Sequence, residues 1–123
     1  MNKVLVIDDS DAWAQTVEAE LGKAGYSVLR ARQSEEALET AADEKPELVL
    51  VDLLMAARAG AGFFRRMRTM PMLKNTLMLL TTTGTAHTAV EEALGVRHDQ
   101  IIRKNRSALD EVSARLRRLP LSA

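Results

Sequence analysis

Five positions along this chain carry side chains able to bind cations or phosphates, and each follows a short apolar run. Asp8 and Asp9 close Lys3-Val4-Leu5-Val6-Ile7, and Asp52 closes Leu48-Val49-Leu50-Val51. Thr81 closes Leu77-Met78-Leu79-Leu80, and Lys104 follows Gln100-Ile101-Ile102-Arg103. Runs that stay apolar read as strands buried on both faces. In an open α/β sheet the carboxyl ends of the strands form the functional edge. One parallel sheet would therefore gather three carboxylates, one hydroxyl and one ammonium at that edge. Two carboxylates about 5 Å apart repel by roughly 3 kcal/mol at an effective dielectric near 20. Such a cluster calls for a cation between its members; without one, proton uptake or local loosening must relieve it.

Helical periodicity fills the gaps between these strands. Ala14, Val17, Leu21 and Ala24 form one apolar stripe, ended by Gly25 as a left-handed C-terminal residue. Tyr26-Ser27-Val28-Leu29 is a short second strand. Ser34 is placed to cap a second helix, with Glu35 and Glu36 at its positive end, Ala37, Leu38 and Ala41 inward, and Pro46 as its stop. Phe63, Phe64 and Met67 define a third helix, and Val90, Ala93 and Leu94 a short fourth. Ser107 caps a fifth, with Leu109, Val112, Leu116 and Leu119 on one side and Pro120 as its end. The order is (βα)5, an α/β chain. Right-handed crossovers put its helices on both faces of a five-stranded parallel sheet. A doubly wound sheet of order 2-1-3-4-5 has its switch point between strands one and three, the two strands that Asp8, Asp9 and Asp52 end.

Composition narrows the functions. The 123 residues suit one domain, 1–123, with one core. Lysine plus arginine and aspartate plus glutamate number 17 each, so no net basic charge points to nucleic acid. The absence of cysteine excludes disulfides, thiolate metal sites and thiol catalysis. No signal-peptide pattern or membrane-length apolar run is present, which makes a cytoplasmic protein the expectation. Neither G-x-G-x-x-G nor G-x-x-x-x-G-K-[ST] occurs, so a nucleotide would lack its phosphate cradle. His87 and His98 read as solvated.

Together the segments Val-Leu-Val-Ile-Asp8-Asp9-Ser10, Leu-Val-Leu-Val-Asp52-Leu-Leu-Met, Leu-Leu-Thr81-Thr82 and Ile-Ile-Arg-Lys104 resemble the receiver domain of two-component response regulators, of the chemotaxis-regulator type. The resemblance covers essentially the whole chain and implies the flavodoxin-like form of the (βα)5 sandwich. It implies Asp52 as phosphoryl acceptor, Thr81 as switch hydroxyl and Lys104 as phosphoryl-binding lysine. It implies Mg²⁺ held by Asp9, Asp52 and the backbone carbonyl of Leu54, with Asp8 holding the ion through water. The implied partners are a histidine kinase or histidine phosphotransfer protein and a downstream target protein, with no nucleic acid or membrane bound directly and with room for a homodimer on phosphorylation. Signalling would use the face of the fourth helix, fifth strand and fifth helix.

Four places depart from that pattern. Ala56 stands where proline is usual in the loop after the acceptor, and Ala59, before Gly60, where aspartate is common. Asn105 follows Lys104 where the family has a proline, normally in a cis bond. A non-proline cis bond costs about 3 kcal/mol, so a trans bond with Lys104 placed differently is the alternative. Ile101 replaces the aromatic switch residue, and the segment 95–104 is about two residues longer than usual. Two other readings follow. A degenerate receiver would bind protein without phosphorylation. A haloacid-dehalogenase-type phosphatase would use Asp9 of Asp9-Ser10-Asp11 as nucleophile, although Trp13 stands where that family has Thr or Val. On the receiver reading, Leu54 and Thr83 flank the acceptor where an attacking water must pass. Trp13, about one helical turn beyond Asp9, stands partly buried near the acidic site.

Overall fold

The computed structural model describes residues 2–83, 91–92 and 94–118. Five parallel strands, β1 (Lys3–Ile7), β2 (Ser27–Ala31), β3 (Leu48–Asp52), β4 (Leu77–Thr82) and β5 (Ile101–Arg103), form one sheet of order β2-β1-β3-β4-β5. This is the doubly wound parallel sheet that the run of apolar segments predicts, in the flavodoxin-like form that the resemblance implies.

Alternation along the strands builds two cores. Leu5, Ile7, Val49, Val51 and Leu80 point to one face, where they meet Ala37, Ala41, Leu53, Phe64 and Met67. Val4, Val6, Leu48, Leu50, Leu79 and Ile102 point to the other, against Ala14, Val17, Leu21, Val112 and Leu116. The first set of helical residues comes from α2 (Ser34–Glu44), α3 (Leu53–Ala59) and α4 (Ala61–Thr69). The second comes from α1 (Asp11–Lys23) and α5 (Ala108–Arg117). Both faces of β1 and β3 are thus dry along Val4 to Ile7 and Leu48 to Val51, which is why those stretches carry no polar residue; Lys3, at the entry of β1, is half-buried and pairs with Glu44.

Several boundaries differ from the sequence expectation, each for a local reason. The segment after Asp52 is helical rather than a loop, because Leu-Leu-Met-Ala-Ala-Arg-Ala is rich in good helix formers and Asp52 caps it. Ala56 is fully buried within α3. Gly60, at φ 93°, then separates α3 from α4, a backbone conformation that favours glycine. Ser34 is the first residue of α2 rather than its cap; Gln33 holds that position without a side-chain bond. The Glu36 carboxylate accepts instead from the Arg32 backbone N–H at 3.1 Å. Thr81 lies inside β4, and Gln100 sits in a short 3-10 turn, His98–Gln100, ahead of β5. Of the expected fourth helix, Glu91, Glu92 and Leu94 are helical, while Val90 and Ala93 lie outside the described residues. Gly84, His87, Leu119 and Pro120 lie outside them too.

Candidate phosphorylation site

The carboxyl edge of the sheet brings Asp8, Asp52 and Lys104 into direct contact. Asp8 follows β1, and its backbone N–H continues the ladder by donating to the Ala31 carbonyl at 3.1 Å. Its side chain is nearly inaccessible, at 1% exposure. One oxygen, Oδ1, accepts from the Ser10 N–H at 2.9 Å, which fixes the turn into α1. Ser10 then caps α1, its Oγ accepting from the Trp13 N–H at 3.3 Å. Asp52 ends β3 and caps α3, its Oδ2 accepting from the Met55 N–H at 3.0 Å. Each carboxylate therefore keeps one oxygen on the backbone and turns the other inward.

Lys104 fills the space between them. Its Nζ donates to Asp8 Oδ2 at 2.6 Å and to Asp52 Oδ1 at 3.1 Å, and its side chain is only 10% exposed. The backbone reason is twofold. The Lys104 N–H donates to the Thr82 carbonyl at 2.9 Å, extending the β4–β5 ladder past Arg103. Asn105 then makes an Asx turn, its Oδ1 accepting from the Ser107 N–H and Ser107 Oγ–H, each at 3.0 Å. All described peptide bonds are trans, so the chain delivers Lys104 to the site with asparagine in the family's proline position and no cis bond. Ser107 sits at the N-cap of α5, but its hydroxyl serves this turn rather than the helix.

Burial is the largest single influence on the Lys104 pKa and acts to lower it. The hydrogen bonds and negative charges of Asp8 and Asp52 together outweigh it, so the pKa rises above the ordinary lysine value of 10.5. The ammonium also stands 5.6 Å from the centre of the Trp13 ring, within cation–π range. Trp13 is thus partly buried beside the acidic site, where the spacing from Asp9 puts it.

Asp9 and Thr81 stand apart from this contact. Asp9 is exposed and accepts from Arg58 Nη2 at 3.3 Å. Asp9, Asp52, Leu54, Ala57 and Arg58 line one open depression, which makes Leu54 a neighbour of the acceptor candidate. Thr83 is exposed at a bend after β4. Thr81 pairs in register with Asp52 across β3 and β4, but it is fully buried and, among the described residues, its hydroxyl makes only a long, 3.5 Å contact to the Val51 carbonyl. The repulsion expected among the three carboxylates is relieved by cations from the chain itself, Lys104 for Asp8 and Asp52 and Arg58 for Asp9. Arg58 was not among the residues picked out by sequence. The helix-forming run from Leu53 to Ala59 was the available signal, since a helix starting at Asp52 carries Arg58 back over the same edge.

Among the described residues, no group of three carboxylate or imidazole side chains is gathered as a finished metal site. The donors still fit a hard divalent cation by their chemistry. Asp9 and Asp52 line the same depression, Asp8 adjoins it through Lys104, and all offer carboxylate oxygen.

A family model described as the response regulator receiver domain matches residues 4–117. The chain belongs to that family. The receiver is a signalling domain of two-component systems rather than a conventional enzyme. Among solved structures, this receiver is similar to the chemotaxis response regulator CheY4 of Vibrio cholerae, with 30% identity, a TM-score of 0.77, and coverage of 94% of this chain and 98% of that one. It is also similar to a putative response regulator from Chloroflexus aurantiacus, with 27% identity, a TM-score of 0.76, and coverage of 95% and 98%. Among curated proteins it is 32% identical over 77 residues to the alkaline phosphatase synthesis transcriptional regulatory protein PhoP of Bacillus subtilis. That match covers 63% of this chain and 32% of the relative, so the receiver spans about a third of that protein's length. The receiver match over residues 4–117 displaces the phosphatase reading, in which Asp9 would be the nucleophile. No described helix is long and apolar enough to cross a membrane.

Proposed function

We propose that Asp52 accepts a phosphoryl group from the phosphohistidine of a histidine kinase or phosphotransfer protein. In that reaction an Asp52 carboxylate oxygen bonds to phosphorus, and the phosphorus–nitrogen bond breaks with its electron pair leaving on the imidazole. The observation that carries this reading is the Lys104 ammonium bonded at once to Asp8 at 2.6 Å and Asp52 at 3.1 Å. A cation fixed at the acceptor is what a transferring phosphoryl group requires, since charge neutralisation at its oxygens is the main catalytic demand. The carboxylates of Asp8, Asp9 and Asp52 and the carbonyl of Leu54 would hold Mg²⁺, which when bound supplies further neutralisation of those oxygens. Lys104 has only to shift its hydrogen bond from the Asp52 oxygen to the oxygens of the group attached there.

Thr81 supplies the switch. Its buried hydroxyl holds only a 3.5 Å contact with the Val51 carbonyl, so turning toward a phosphoryl oxygen on its register partner Asp52 sacrifices little. The chain from Thr82 onward would be drawn with it, changing the face formed by β5, α5 and the segment ahead of β5. A downstream protein would read that face in the cytoplasm, with residues 1–123 acting as one receiver domain. Ile101, half-buried at the start of β5, takes the place of an aromatic relay.

Transfer from a phosphorylated histidine phosphotransfer protein in Mg²⁺ tests the reading. Label should move to the wild-type chain and not to Asp52→Asn. The Arg58–Asp9 pair favours a second reading, a receiver that binds protein without phosphorylation, because it fills a metal position with a side chain. No label on the wild type under any donor would select that reading.

A further inference from the structure

Among the described residues, two cations serve Asp8, Asp9 and Asp52, and they differ in kind. Lys104 is 10% exposed and holds two buried partners. Arg58 is 67% exposed, and its partner Asp9 is 59% exposed. Asp9 has no other partner among the described residues, and both line the depression that Asp52 opens into. The pair exists because α3 runs unbroken from Leu53 to Ala59, placing Arg58 near its end and above the β1 loop.

We propose that Arg58 is the exchangeable cation of the site: it neutralises Asp9 when no divalent ion is bound, and Mg²⁺ must displace it. The inference rests on reading Asp9 and Asp52 as Mg²⁺ ligands. A guanidinium 3.3 Å from Asp9 Oδ2, at the depression that both residues line, repels an incoming dication. Its long exposed side chain can swing into solvent without disturbing the core. Arg58 therefore weakens metal affinity and makes metal loading dependent on ionic strength. An exposed pair is worth at most about 1 kcal/mol, equivalent to about fivefold in a dissociation constant.

Mg²⁺ titration of the full chain, followed by the amide NMR shifts of Asp9, Ser10 and Asp52, tests this. Arg58→Ala and Arg58→Gln should each bind Mg²⁺ about three- to fivefold more tightly than wild type. Arg32→Ala is the control. It removes a cation on the same edge that pairs with Asp11, at 3.6 Å, and should change affinity less than about twofold. Unchanged or weaker binding in both Arg58 variants, or an equal gain in Arg32→Ala, overturns the proposal. A folded wild type with no Mg²⁺-dependent shift at Asp9 or Asp52 overturns the metal-site reading itself, and the wild-type arm alone reveals that.

Discussion

The Trp13 ring lies under the Lys104 ammonium, 5.6 Å from its centre. The chain's only tryptophan would therefore report on the cation that, on the proposed function, shifts when Asp52 is modified. Beryllofluoride in Mg²⁺ should draw Lys104 onto the new anionic group and change Trp13 emission. Lys104→Met should abolish most of that change. A flat spectrum, with NMR showing occupancy at Asp52, would mean that Lys104 keeps its metal-free position.

Lys104 should matter to stability as well as to signalling. Removing one member of a buried pair strands the other, at about 3 kcal/mol or more. Lys104→Met leaves Asp8, at 1% side-chain exposure, facing Asp52 with no cation between them. Urea denaturation without metal should show a loss of about 3 kcal/mol, and millimolar Mg²⁺ should recover part of it. A loss under about 0.5 kcal/mol would show that the pairs contribute little. Asp52→Asn should be nearly neutral by comparison. Its amide oxygen can still accept from Met55 or Lys104, and the Asp8 pair remains.

The same pairs set a pH dependence. The folded-state pKa of Lys104 lies above 10.5, so the folded protein holds this proton more tightly than the unfolded chain does. The stabilisation is thus fully present below the unfolded value and is lost as pH rises through the folded one. The stability gap between wild type and Lys104→Met should stay constant through neutrality and narrow only in the strongly alkaline range. A gap already closing below about pH 9 would contradict a raised pKa.

Leu54 is 47% exposed and lines the depression with Asp52, so on the proposed function an apolar side chain would stand where water approaches the acyl phosphate. Leu54→Asn and Leu54→Glu should alter the decay of the phosphorylated form several-fold. Both should hold stability within about 0.5 kcal/mol, as surface changes usually do. Equal decay in all three proteins would remove Leu54 from the water path.

Much of this was legible in the residues alone, and the reasons are physical. Val4 to Ile7 and Leu48 to Val51 are apolar at every position because both faces of those strands are covered, which gives away the parallel sheet and the edge where Asp8 and Asp52 end. Trp13 could be placed because helix geometry fixes its distance from Asp9. The side-chain pairings were not legible. Lys104 and Asp8 are 96 residues apart, and no local period encodes which carboxylate a lysine will meet. Arg58 was hidden for a similar reason: its role depends on α3 starting at Asp52, whereas the segment reads as a loop by family resemblance. Asn105 carried a usable signal, since an asparagine two residues before Ser107 favours an Asx turn that can replace the proline geometry.

The central claim is that Asp52 is a phosphoryl acceptor served by Lys104. Incubation with a small acyl phosphate and Mg²⁺, followed by intact-mass and peptide-level mass spectrometry, tests it most directly. The account predicts one phosphoryl adduct on the peptide containing Asp52, absent from Asp52→Asn and much reduced in Mg²⁺-free buffer. An adduct at Asp9, or none on wild-type protein shown by NMR to be folded with Mg²⁺ bound, would contradict it.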